Sequence, residues 1–135
     1  MATIRTFEDL EIWQDARVLA KEIYILVSQP NRKVEYSLRN QITRSSGSIM
    51  DNIAEGFERN GNREFKQFLS IAKGSCGEVK SQLYRLHDQD TISDDEFTTL
   101  SEKCVSLSKR LFAFMNYLNE TSNRGVKFSK VNTQE

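Results

Sequence analysis

Phe97, Leu100, Cys104, Leu107, Leu111, Phe114 and Leu118 follow one another at steps of three and four residues without a fault. Steps of that kind line apolar side chains along one stripe of an α-helix and make a heptad seam. A stripe so regular must be buried against other helices, which restricts the chain to helix-on-helix architectures. Ser93 and Glu96, just ahead of the seam, form the capping box that starts such a helix. Phe112 and Met115 add apolar surface off the seam.

Three more segments carry the same period. Phe7, Leu10, Trp13, Ala16, Ala20, Ile23 and Val27 define the first, with Thr6 and Asp9 as a carboxylate capping box and Ile12, Leu19 and Leu26 widening the stripe. Pro30 ends it, because a proline disfavours helical dihedrals in the residue before it. Leu38, Ile42, Ile49, Ile53 and Phe57 define the second, with Ser45 in the gap and Asn60 and Gly61 as its stop. Asn62 is a cap candidate for the third, which runs through Phe65, Phe68, Ala72, Cys76, Val79, Leu83 and Leu86. No β-alternation competes. The expectation is one all-α domain over residues 1–121, an antiparallel up-down-up-down four-helix bundle. Its helices are expected at about 7–28, 35–59, 62–87 and 94–120, followed by a flexible polar tail over 122–135.

Gly47, Gly56, Gly74 and Gly77 fall inside the second and third helices, each at a cost of about 1 kcal/mol relative to alanine. Close approach of another backbone is the simplest compensation. A hairpin turning near Asn60 and Gly61 sets Gly47 level with Gly74, and Arg44 level with Gly77 and Glu78. The second and third helices are therefore expected to pack closely at these glycines. The same register suggests an interhelical polar network of Arg44, Ser48, Asn52, Glu55, Ser75 and Glu78, with an Arg44–Glu78 ion pair and Glu55 near Lys66. The alternative is that both polar stripes face water.

Catalytic and metal chemistry find little support. His87 is the single histidine, and Tyr84 stands where a Glu-x-x-His di-iron motif needs its glutamate. Two cysteines and one histidine lack zinc-ligand spacing, and the glycines form no phosphate-binding loop. Cys76 and Cys104 sit on apolar faces and read as buried thiols in a reducing compartment. No enzyme activity, metal or cofactor is expected. No apolar run approaches the ~18–20 residues that cross a bilayer, and no leader pattern opens the chain, so a cytoplasmic location is expected.

Lys+Arg and Asp+Glu number 19 each, a balance unlike that of a basic nucleic-acid binder. The charge is segregated, however. Residues 30–87 hold 10 basic and 6 acidic residues, a surplus of 4, and residues 88–120 hold 3 and 7, a deficit of 4.

Gln41, Ile42, Arg44, Ser48, Ile49, Asn52, Ile53, Ala54, Glu55 and Gly56, followed by Phe65, Phe68, Leu69, Ile71, Ala72, Gly74, Ser75 and Glu78, form a two-part motif. The motif, with the opening Phe7, Leu10 and Trp13, resembles the four-helix-bundle family encoded in intervening sequences of bacterial 23S rRNA genes. Relatives of that family include the accessory protein of diversity-generating retroelements, a pentameric barrel that associates with nucleic acid and a reverse transcriptase. The resemblance implies a homo-oligomer, a pentamer in that case, which meets RNA or DNA, or another protein. Arg32, Lys33, Arg39, Arg59, Arg63 and Lys66 are the candidate phosphate contacts. A protein-only oligomeric scaffold is the other reading.

Overall fold

The computed structural model describes residues 3–121; the expected tail lies outside them. A short 3-10 turn, Phe7–Asp9, precedes four helices: α1 (Glu11–Val27), α2 (Tyr36–Glu58), α3 (Asn62–Asp88) and α4 (Asp94–Thr121). Consecutive helices pack on one another, and α1 also meets α4, which closes the bundle. The sequence expectation of one continuous first helix from residue 7 needs correction. Leu10 is extended (φ −78°, ψ 125°), so the chain makes a separate turn before α1 begins. The Asp9 carboxylate holds that turn by accepting from the N–H groups of Arg5 at 2.9 Å and Thr6 at 3.1 Å. Phe7 then lies edge-on to Trp13, ring centroids 5.1 Å apart, and covers the open end of the core.

The seam residues Leu100, Cys104, Leu107, Leu111, Phe114 and Leu118 are all buried. They meet Ile12, Leu19 and Ile23 of α1, Ile42, Ile49 and Ile53 of α2, and Leu69, Val79 and Leu83 of α3 in one continuous core. Phe65 anchors the end near the α2–α3 turn, fully buried, with edge contacts to Phe57 at 6.2 Å and Phe114 at 5.6 Å. Burial of one such side chain contributes about 1.5–3 kcal/mol.

Each connection is closed by specific chemistry. Gly61 takes φ +105°, a region open to glycine, and turns the chain from α2 into α3. Asn62 does not cap α3, as the sequence suggested; its amide reaches across to the Leu118 carbonyl (3.4 Å) and the Thr121 hydroxyl (3.1 Å), tying down the end of α4. After α3, Asp90 adopts φ 58°, and the N–H groups of Thr91 and Asp90 bond the Leu86 and His87 carbonyls, a Schellman closure. Ser93 and Glu96 make the expected capping box, at 2.9 and 3.1 Å.

Ion pairs lock α1 to α4. Lys103 donates to both carboxylate oxygens of Glu22 at 2.7 and 2.8 Å. Arg110 reaches Glu11 at 2.7 Å and also bonds Asp15. In sequence these are acids spaced by four and seven on one helix and bases spaced by seven on the other.

Candidate nucleic-acid interface

The polar network expected between α2 and α3 exists in a smaller form. Ser75 donates to the Ser48 hydroxyl at 3.1 Å, and the Asn52 amide donates to the Ser48 carbonyl at 2.8 Å and hydroxyl at 2.9 Å. Arg44, Glu55 and Glu78 are not in it. All three are exposed, one step further round their helices than the serines, and no Arg44–Glu78 pair forms. Glu55 pairs with Arg59 of its own helix at 3.0 Å, and Lys66 bonds Asn119 of α4 instead.

The close approach of α2 and α3 is real at one glycine and absent at three. A Cβ on Gly56 would lie 2.8 Å from both Phe65 Cδ1 and Phe68 Cβ. At Gly47, Gly74 and Gly77 it would meet nothing within 4 Å. Helix rotation explains the difference. At about 100° per residue, Gly74 lies two residues from both Ala72 and Cys76, on the side of α3 opposite the core.

The six candidate phosphate contacts form no single patch. Arg32, Lys33 and Arg39 flank the start of α2, and Arg59, Arg63 and Lys66 cluster at its other end, about 35 Å away along a 23-residue helix. Arg32 is also engaged: it donates to the Thr91 carbonyl at 2.6 Å and to Glu96 at 3.1 and 2.9 Å, with its side chain only 18% exposed. It clamps the α1–α2 connection to the start of α4. Arg59 lies 4.9 Å over the Phe68 ring as well as on Glu55.

Substituting Arg32 and Arg44 separates these roles. Arg32→Ala is expected to destabilise by about 1.5 kcal/mol, at the low end for hydrogen bonds to charged groups because Glu96 is partly exposed. Arg44→Ala, on an exposed flank, should stay within about 0.5 kcal/mol. Denaturant midpoints measured on both variants check the contrast.

A basic surface emerges elsewhere, along the outer groove between α3 and α4. One cavity there, of about 620 Å³, is lined by Lys73, Lys80 and Lys109 with Ser70, Gly74, Gly77 and Ser108, and by no carboxylate. It adjoins a second cavity of about 510 Å³, which shares Lys80 and Lys109 and adds Arg110, Ser101 and one acid, Glu102. Gly74 and Gly77, which were expected to face α2, instead leave this groove open. Ser101 is 7% exposed, and its hydroxyl has no hydrogen-bond partner among the described residues. The floor carries the thiols of Cys76 and Cys104. Burial pushes Cys76 up to about 12, with the neighbouring Cys104 adding to the rise, and burial pushes Cys104 up to about 11. Both thiols are therefore protonated at neutral pH, and the lysines set the sign of the groove.

Sequence reasoning passed over Lys73, Lys80 and Lys109. The signal was present in the spacing of Lys66, Lys73 and Lys80, seven residues apart, which places them on one stripe of α3. Among the described residues no cluster of His, Cys, Asp or Glu could hold a metal ion, and no helix is long and apolar enough to cross a membrane.

These features define an all-α bundle with a basic interhelical groove. The model of the 23S rRNA-intervening sequence protein family matches residues 8–113, and the chain belongs to that family. A solved structure of a protein of unknown function from the S23 ribosomal protein family of Bacteroides thetaiotaomicron VPI-5482 has the same fold. The two are 22% identical with a TM-score of 0.71, over 77% of this chain and 97% of that one. No curated protein matches the chain.

Proposed function

We propose that the protein is a non-enzymatic, homo-oligomeric adaptor of the cytoplasm that associates with nucleic acid through the α3–α4 groove. The observation that carries this reading is the run of Lys73, Lys80 and Lys109 over a neutral floor, in a cavity with no carboxylate in its lining. Cations gathered in excess of the acids beside them bind a phosphate backbone by releasing its counterions, and they need no net positive charge on the whole chain. Assembly gains support from α1, where Val18 and Ile25, seven residues apart, are both exposed. A ring of copies, five by the family resemblance, would cover that apolar strip and repeat the groove around the assembly.

Binding of a structured RNA, titrated against salt, tests the reading. Affinity is expected to fall steeply with salt. The triple change Lys73→Gln, Lys80→Gln and Lys109→Gln is expected to reduce the logarithmic slope by about 2. Absence of binding at low salt would remove the nucleic-acid role in favour of a protein-only scaffold. Light scattering at micromolar concentration reads the assembly, and a monomer there would overturn the oligomer.

A further inference from the structure

We infer that the α3–α4 groove takes a single strand of nucleic acid, with bases stacked on Phe112 and Tyr84 and phosphates on the lysines; this rests on the nucleic-acid reading above. Phe112 is 53% exposed and Tyr84 is 50% exposed. Large aromatic rings left half in water at the edge of a basic groove are what a sequence-tolerant single-strand site uses, because every base offers a face to stack on.

Their placement fits one nucleotide chain. Lys73 Nζ lies over the Phe112 ring, 6.0 Å from its centroid, so a base that stacks on that face displaces the ammonium onto the phosphate of the same nucleotide. Lys66, Lys73 and Lys80 recur every seven residues, about 10.5 Å along the helix, close to three nucleotides at ~3.4 Å each. Tyr84 stands one turn beyond Lys80 on the same stripe, its ring held edge-on by Phe97 at 4.7 Å. Between the lysines the stripe carries Ser70 and Gly77, so the strand meets small side chains where the long ones leave gaps. From Lys66 to Tyr84 the stripe runs about 27 Å, room for roughly eight stacked nucleotides. A duplex could meet the lysines with its phosphates, but its paired bases could not reach either ring.

The test compares labelled twelve-nucleotide oligouridylate and oligothymidylate with a twelve-base-pair duplex, by fluorescence anisotropy on the full chain at about 50 mM salt. The expected result is single-strand binding at least tenfold tighter than duplex binding. Phe112→Ala should weaken the single strand about tenfold while leaving duplex binding unchanged, and Phe112→Tyr should restore it. Phe112 lies outside the buried core, and thermal melts of both variants confirm that they fold. Oligonucleotides carrying 5-iodouridine should crosslink to Phe112 or Tyr84 in mapped peptides.

Duplex binding as tight as single-strand binding, with Phe112→Ala without effect, would overturn the single-strand site and leave the nucleic-acid role standing. Absence of binding to either form would overturn both. Competition by poly-glutamate at equal charge, as effective as the oligonucleotide, would overturn the stacking inference and assign the groove to an acidic polypeptide.

Discussion

Replacing Gly56 by alanine is expected to destabilise the bundle by about 1–3 kcal/mol, while the same change at Gly74 or Gly77 is expected to stabilise it by up to about 1 kcal/mol. All three positions are helical, so alanine gains the same helix propensity at each. The difference lies in what the added methyl meets. At Gly56 it would stand 2.8 Å from Phe68 Cβ and 2.8 Å from Phe65 Cδ1, with the Phe65 carbonyl oxygen at 3.3 Å. Two of those atoms are a Cβ and a backbone oxygen, which cannot swing away. Phe65 is itself wedged between Phe57 and Phe114. Relief therefore requires α3 to move away from α2, next to the three-residue turn that joins them. At Gly74 and Gly77 the space is open, so only the propensity term remains. Thermal or denaturant midpoints of the three single variants read the sign directly, and a Gly56→Ala variant as stable as Gly74→Ala would refute the packing argument. The gain at Gly74 and Gly77 should carry a functional cost, since a methyl there narrows the groove.

This contrast also shows how far the sequence was readable. The heptad seam was legible because steps of three and four determine a buried face without knowledge of the partners, and six of its seven residues are buried while Phe97 is partly so. Axial register was legible too. The observed α2–α3 contacts, Ser48 with Ser75 and Gly56 with Phe65 and Phe68, lie close to the expected hairpin pairing. Rotation about the helix axis was not. Gly47 and Gly74 share a level, but being level says nothing about which side of a helix a residue occupies, and both sit away from the core. Arg44 and Glu78 missed each other for the same reason, with the shorter Ser48 and Ser75 holding the inner positions. The break at Leu10 was hidden because the apolar spacing of Phe7, Leu10 and Trp13 runs through the turn unchanged. The groove lysines were half legible. Their seven-residue spacing was visible, whereas which residues of α4 lie beside them, Lys109 with a single acid, Glu102, depends on the face that α4 presents.

Stability is expected to fall by about 3 kcal/mol between pH 8 and pH 10 on account of Cys76 and Cys104 alone. Both thiols are almost fully buried, and burial disfavours the thiolate. In the folded chain Cys76 is raised from 9.0 to about 12 and Cys104 from 9.0 to about 11. Below pH 9 both states hold both protons, and the thiols contribute no pH dependence. Above pH 9 the unfolded chain loses these protons while the native chain keeps them, so unfolding is favoured by about 1.4 kcal/mol per thiol for each further pH unit. The loss continues until the native thiols ionise, first Cys104 and then Cys76. Tyrosines and lysines titrate over the same range, so the measurement is a difference. Denaturant unfolding of the native chain and of the Cys76→Ala, Cys104→Ala double variant is compared at pH 8 and pH 10. The cavities left by the two substitutions lower the variant equally at both pH values and cancel. The native chain should lose about 3 kcal/mol more than the variant across the interval, and parallel losses would show that the thiols ionise in the fold as they do in water. The same burial keeps the groove floor neutral at the pH where a phosphate backbone would have to approach Lys73 and Lys80. A thiol-reactive reagent at pH 8 should accordingly label neither cysteine until the chain unfolds.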